Sequence, residues 1–320
     1  MSEWPNNGGR EWQILEKAVL ASVEEQRRAR RWGIFFKILT FLYIFFFLAL
    51  VFSPSHHGGG KGGEFAGPHT AVVEVSGEIA DGSDANADDI NAGLKEAFEA
   101  KNSKAVILRI NSPGGSPVQS AYVYEEIRRL RSQYPAKKVY AVITDIGASG
   151  AYYIASAADQ IYVSPASLVG SIGVIMPGVG VQGLMQKLGL EDRTMTAGAH
   201  KAIMNPMAPV SPEEKAHVQK LLNTIHQQFI TAVRQGRGQR LKETPDMFSG
   251  LFWTGQQAVE LGLADGFGSV KSVAKQAGAE ELVDYTNEKN PMDNLIRKLG
   301  ASMGEAVATR MNLSAGPALR

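Results

Sequence analysis

Two turns rich in small residues offer the first candidates for chemistry. Thr144 to Tyr153 (TDIGASGAYY) sets Ser149 between Ala148 and Gly150, where an apolar run (VYAVI, 139–143) gives way to a helical pattern. A hydroxyl there stands at the tip of a sharp bend, ahead of backbone N–H groups carrying the partial positive charge of a helix start. That suits a nucleophile whose tetrahedral intermediate needs donors close by. The pattern is not G-x-S-x-G, because Ala151 holds the last position. The commoner role of such a serine is a helix cap. The second turn, Asn111-Ser112-Pro113-Gly114-Gly115, follows AVILRI (105–110). Two successive glycines let a ligand approach the backbone with no Cβ in the way. Most Pro-Gly-Gly sequences are simple tight turns. Paired with the first turn, this one offers an oxyanion hole made by the N–H groups of Gly115 and Gly150.

A serine nucleophile needs a base. The six histidines stand at 56, 57, 69, 200, 217 and 226. The first three lie in or beside a glycine-rich stretch, where His56 and His57 are read as inert rather than as a metal site. His217 and His226 belong to a long, polar-faced helix, which leaves His200 in a loop. Lys201 follows it, within TAGAHKAIMNP (196–206). Lowering a lysine from about 10.4 to about 7.5 requires roughly 4 kcal/mol of differential destabilisation of the ammonium. Ile203 and Met204 are compatible with such a setting, although an isolated lysine defaults to the surface. On the residues alone, His200 and Lys201 both stand as candidates.

Composition narrows the classes. The chain has 320 residues, 44% of them hydrophobic and 20% charged, enough to bury a core. With no cysteine, disulfides, thiolate zinc sites and a cysteine nucleophile are excluded. Lys+Arg 33 against Asp+Glu 32 gives +1, so net charge supplies no argument for a nucleic-acid partner.

The elements that must position these turns follow from periodicity. AVVEV (71–75), AVILRI (105–110), VYAVI (139–143) and IYV (161–163) predict strands. Residues 88–100, 117–131 and 150 to about 158 predict helices between them. This alternation predicts an α/β domain with mainly parallel strands and right-handed crossovers, with chemistry in the loops after the strands. Ser211, Pro212, Glu213 and Glu214 predict the start of a long helix with Val218, Leu221, Leu222, Ile225, Phe229 and Val233 on its apolar face. That face reads as core or oligomer contact. A shorter helix is predicted near 255–262.

The N-terminal part is of another kind. Trp32 to Phe52 is interrupted only by Lys37, and its 21 residues match the roughly 30 Å apolar thickness of a bilayer. Arg27, Arg28, Arg30 and Arg31 precede it, whereas Lys61 alone is basic between Ser53 and Thr70. The positive-inside rule then predicts a cytoplasmic N-terminus and an exported C-terminal part. A cleaved signal peptide fits less well, because the run begins deep and SPSHHGGG lacks a small-x-small cleavage pattern. A buried core helix fits less well too, since the run has no polar face. The expected organisation is a cytoplasmic segment (1–31, with Trp12, Leu15, Val19 and Val23 at helical spacing), a transmembrane signal anchor (32–53) and a Gly-rich tether (54–69). A catalytic domain (70–290) and a weakly amphipathic C-terminal tail (291–320) follow.

Several segments together resemble one family. Asn111–Gly115, Ala148–Ala155 (ASGAYYIA), Val169–Val174 (VGSIGV), Gly198–Pro206 with Lys201, Trp253-Thr254-Gly255, Ala258 and Gly262–Asp265 are similar, in order and spacing, to the signal peptide peptidase A family. The resemblance runs from about Thr70 to about Ser269. The Pro-Gly-Gly turn alone also occurs in Clp protease and crotonase folds. The resemblance implies a Clp protease/crotonase-like superhelix of βαβ units, preceded by one transmembrane helix. It implies a serine peptidase with Ser149 as nucleophile, Lys201 as general base, Ser171 orienting the lysine amine, and Gly115 and Gly150 as oxyanion donors. Ala151 departs from the glycine usual there, and Ala199-His200 departs before the lysine, which leaves a role for His200 open. One copy of the catalytic domain matches the short form, which implies a homo-oligomeric ring, with Ser149 and Lys201 supplied by one subunit or by neighbours. The expected partners are peptide substrates such as signal peptide remnants, and membrane lipid through residues 32–53, with no nucleic acid, metal or organic cofactor. The expected location is the bacterial cytoplasmic membrane, catalytic domain outward. The alternatives are a crotonase-like acyl-CoA enzyme and a non-catalytic membrane scaffold.

Overall fold

The structure, a computed structural model, describes residues 8–51 and 67–287. Most of the expected tether and all of the tail 291–320 lie outside the described residues. The chain divides into two compact units, Met1–Gly58 and Gly59–Arg320.

The first unit contains one continuous 44-residue helix, α1 (Gly8–Val51), where sequence patterning predicts two segments meeting near residue 31. The arginine-rich stretch between them has no Pro, and Gly33 alone does not interrupt a helix. Trp32, Phe41, Tyr43 and Phe45 are all exposed on it. Among the described residues no helix is long and apolar enough to cross a membrane. Residues 47–53 of the expected anchor lie beyond those whose side chains are described.

The second unit is α/β. It runs β1 (His69–Ile79), α2 (Ala87–Glu99), β2 (Ser103–Gly115), α3 (Pro117–Gln133), β3 (Lys138–Ala148), α4 (Gly150–Ala155), β4 (Gln160–Val163) and β5 (Leu168–Gly170). Then come α5 (Gln182–Leu188), α6 (Pro212–Arg237), β6 (Phe252–Thr254), α7 (Gly255–Glu260), β7 (Gly266–Phe267), α8 (Val270–Gln276) and β8 (Leu282–Asp284). The described strands form one sheet in the order β6-β5-β3-β2-β1-β8, with β4 pairing both β3 and β7. Every pair is parallel except β5–β6.

Period-two alternation assigns the strand residues to two cores. Val73 and Val75, with Val106, Leu108 and Ile110, face the larger core beneath α2, α3, α4 and α6. Ile107 and Val142 face the opposite side, where Val273 and Ala274 of α8 cover them. The helices start where capping chemistry dictates. Asn86 caps α2, Ser116 caps α3 with Pro117 behind it, and Ser211 and Glu214 form a capping box on α6.

The two central strands outrun the patterning. β2 continues through Asn111–Gly115, a segment that reads as a turn beyond the strand, and β3 continues to Ala148. The reason is pairing on both sides. Glu78 and Ile79 hold register with Gly114 and Gly115, while Ser112 pairs with Gly147 across a register shift after Ile110. Neighbouring strands can keep a Pro-Gly-Gly segment extended where local propensity alone would bend it.

Candidate functional site

Ser149 sits at the junction of β3 and α4 with φ 53° and ψ −125°, a conformation that L residues rarely adopt. Such strain costs on the order of 1–3 kcal/mol and persists only where surrounding structure imposes it. Here β5 imposes it: Gly147 and Ala148 pair with Val169 and Gly170, and the Ser149 N–H donates to the Gly170 carbonyl at 2.8 Å. Although Ser149 occupies the N-cap position of α4, its side chain makes no capping bond. The hydroxyl is therefore not used as the ordinary cap.

The glycine turn closes around this serine. A Cβ on Gly114 would meet the Ala148 carbonyl and the Gly150 nitrogen, each at 2.6 Å, and the Ser149 Cβ at 2.8 Å. A Cβ on Gly115 would meet the Ile79 carbonyl at 2.1 Å, and Gly115 has φ +152°. One on Gly150 would strike the Ser120 hydroxyl at 2.3 Å and come within 3.3 Å of the Gly115 nitrogen. The backbone amides of Gly115 and Gly150 are thus neighbours beside Ser149. Gly150 opens α4, where first-turn N–H groups lack intrahelical acceptors.

Ser171 lies just beyond β5, beside Ser149 across the β3–β5 pairing, and has φ 50°. Its N–H donates to the Leu251 carbonyl at 2.8 Å. Gly170 before it has φ +102° and presses on the Trp253 ring, whose Nε1 is buried without a partner among the described residues. Ser149, Ser171, Gly115 and Gly150 are therefore brought together, from three separate strand ends.

Lys201 is not brought to them. It lies in a turn of the excursion between Gly173 and Ser211, its backbone N–H bonded to the Gly198 carbonyl at 3.1 Å, and its side chain is exposed. No hydrogen bond joins its amine to Ser149 or Ser171 within the described residues. The apolar burial expected from Ile203 and Met204 is not met in the single chain, where Ile203 is half-buried and Met204 is 36% exposed. The physical reason is that this excursion leaves the sheet domain and contributes nothing to either core. His200 is exposed and lies 4.0 Å from Glu213, away from the serine.

Beneath α4 a buried network fixes the helix. Arg237, fully buried, makes a bidentate pair with Asp265 at 2.8 and 3.0 Å, and Asp265 also accepts the Ile161 N–H at 2.7 Å. Burial pushes the Asp265 carboxyl up, but the hydrogen bonds and charge of Arg237, the Ile161 N–H and Arg240 outweigh it and hold the group below the ordinary range. Tyr152 donates to the Leu263 carbonyl at 2.7 Å, and burial raises its phenol pKa. Sequence patterning gave these residues no role, although Leu263 and Asp265 stand in a segment it singled out. A cavity of about 800 Å³ lies between α3 and α6, lined among others by Tyr124 and Tyr153, one helical turn from Ser149. No cluster of metal-ligating residues occurs among the described residues.

A strained, uncapped serine at a strand–helix junction, flanked by paired backbone amides on a parallel α/β sheet, has the form of an acyl-transfer hydrolase site. Comparison with known proteins agrees. Residues 131–284 match the model of peptidase family S49. A candidate protease of Synechocystis sp. is 32% identical over 76% of this chain and 88% of its own length. A candidate signal peptide peptidase SppA of Enterococcus faecium is 34% identical over 61% of this chain and 58% of its own length. The chain belongs to peptidase family S49, the signal peptide peptidase A family. It is also similar, at 42% identity over 59% of its length, to a protein of Brucella abortus named Na(+)/H(+) antiporter NhaA, of which it spans only 26%.

Proposed function

We propose that this protein is a membrane-anchored serine endopeptidase working through a Ser149–Lys201 dyad. The observation that carries the reading is the strained Ser149, free of any capping bond and pressed between Gly114 and the adjacent amides of Gly115 and Gly150. Neutral Lys201 takes the Ser149 proton, and the hydroxyl oxygen attacks a peptide carbonyl. The Gly115 and Gly150 N–H groups hold the oxyanion, and the lysine, oriented by Ser171, gives its proton to the leaving amine. Water then releases the acyl group by the same relay. The residues themselves supply base, nucleophile and oxyanion donors.

Lys201 meets Ser149 across a subunit boundary in this reading. Ile175 (85% exposed), Val179 (78%) and Met195 (95%) stud the same excursion. Such an apolar surface favours burial against another copy in a homo-oligomeric ring. Burial there supplies the apolar setting that a neutral lysine needs. The sheet, with parallel strands joined by helical crossovers, suits a Clp protease/crotonase-like superhelix.

The uncharged run from Ile38 to Phe52, preceded by four arginines, supports a single-pass anchor in the bacterial cytoplasmic membrane with the catalytic domain outside. Hydrophobic peptides such as signal peptide remnants are the matching substrates.

Fluorophosphonate labelling of the full chain tests the reading. Wild type is expected to take the label at Ser149 and to cut hydrophobic peptides by mass spectrometry, and Ser149→Ala to do neither. An unlabelled wild type that binds coenzyme A would instead make it a crotonase-like acyl-CoA enzyme, and one that does neither a scaffold.

A further inference from the structure

His226 is one of two histidines that a sequence reading leaves on the solvated side of a long helix. The structure gives it a specific contact. From the middle of α6, its Nε2 lies 3.0 Å from the backbone carbonyl of Ile172, 54 residues away in sequence. A carbonyl only accepts, so the proton sits on Nε2 in both the neutral and the charged ring.

The position of that carbonyl gives the bond its meaning. Gly170 to Gly173 is held residue by residue. Gly170 rests on Trp253, the Ser171 N–H bonds to Leu251, the Ile172 side chain is fully buried, and a Cβ on Gly173 would come within 3.1 Å of Gly250. The Ile172 carbonyl points the other way, toward α6, and His226 receives it. Directly after this clamp the chain leaves the core for the excursion that carries Lys201, and α6 is the element on which it returns. Within the excursion, the Val181 N–H bonds to the Pro206 carbonyl at 2.8 Å, so its outgoing and returning limbs are already tied farther out. The His226–Ile172 bond ties them where they join the sheet.

We infer that His226 is a positioning residue that closes the neck of the Lys201-bearing excursion and fixes the backbone of Ser171, so that serine and lysine enter the site in register. The inference rests on the Ser149–Lys201 reading. His226 touches neither substrate nor reacting atoms and acts through Ile172. Because Nε2–H persists in both charge states, the bond is not a pH switch.

The test compares full-chain wild type, His226→Gln and His226→Leu in detergent. It measures thermal unfolding, fluorophosphonate labelling rate and peptide cleavage. Glutamine keeps an N–H donor at similar reach; leucine keeps bulk and loses the donor. One hydrogen bond of this kind corresponds to about a threefold to tenfold change. His226→Leu is expected to lose about that much in labelling rate and kcat, with KM and the pH profile unchanged, and His226→Gln to recover most of it. Wild-type rates in a folded His226→Leu protein would overturn the inference. Equal loss in both variants would overturn it too, by making ring packing the cause. Should His226→Leu not fold, His226→Gln decides by itself: near-wild-type kcat supports the bond and a tenfold loss refutes it. A wild type that takes no label would instead sink the dyad reading, separately from these outcomes.

Discussion

The two halves of the candidate site are built in opposite ways. Ser149 is over-determined: β3 and β5 set its backbone, Gly114 seals one side, Ser120 packs against Gly150, and the buried Arg237–Asp265 pair lies beneath α4. Lys201 stands on an exposed excursion with large apolar side chains facing outward, and no hydrogen bond joins it to Ser149 among the described residues. Strain at a functional residue needs a rigid frame. Under the proposed dyad, a lysine base needs apolar burial only at the moment of use, and a second copy of the chain would supply it. The contrast teaches that the fold of one chain fully frames Ser149 and leaves Lys201 exposed.

The largest effects should come from breaking each half separately. Ser149→Ala and Lys201→Ala are each expected to lower kcat about 10⁴-fold or more. If the halves meet between subunits, co-assembling the two inactive variants restores part of the activity, measured as peptide cleavage after mixing and reassembly. No recovery in such mixtures would place the dyad within one chain and erase the contrast.

The frame beneath the serine comes next. Asp265→Asn leaves Arg237 buried and without its charge partner, which is expected to cost about 3–5 kcal/mol in denaturant unfolding. The sign with pH follows from the direction of the shift. Because the folded carboxyl titrates below its unfolded value of about 3.9, its contribution is fully present above that pH. It is lost as pH falls through the lower folded value. Wild type should therefore keep this stability at pH 5, and the gap between wild type and Asp265→Asn should narrow only in stronger acid.

Smaller changes sharpen the picture of the glycine cradle. Gly150→Ala pushes a methyl into the Ser120 hydroxyl and is expected to cost about 1–3 kcal/mol of fit around Ser149. Adding Ser120→Ala removes the clash with the hydroxyl and leaves contacts of 3.3 Å with the Gly115 nitrogen and 3.4 Å with the Ser120 Cβ, so labelling of Ser149 should largely return in the double variant. If it does not, crowding of Ser120 is not what makes glycine necessary there. The smallest effect belongs to the other half: Met195→Ser should change unfolding of the sheet domain by less than about 0.5 kcal/mol. Its consequence should appear in sedimentation, as weaker self-association.

Much of the sheet domain was legible beforehand. Apolar runs marked β1 to β4, and Ser211 with Pro212 announced α6, whereas the caps Asn86 and Ser116 emerged only from the structure. Each of those signals lies within a few residues, which is the range over which periodicity and capping act. Errors fell where a neighbouring strand overrides local propensity, as in the extension of β2 through Pro113. The short strands β5 to β8 were missed because two or three residues carry too little pattern.

By itself, then, the sequence determined the element types, the two small-residue turns, the apolar N-terminal run and the absence of cysteine chemistry. Only the tertiary structure decided that Gly114 lies against Ser149, that this serine is strained and uncapped, that His226 reaches Ile172, and that Lys201 faces outward. These facts join residues 21 to 54 positions apart, or concern what covers a side chain. Strand register and long-range packing set them, and no local window of sequence encodes either.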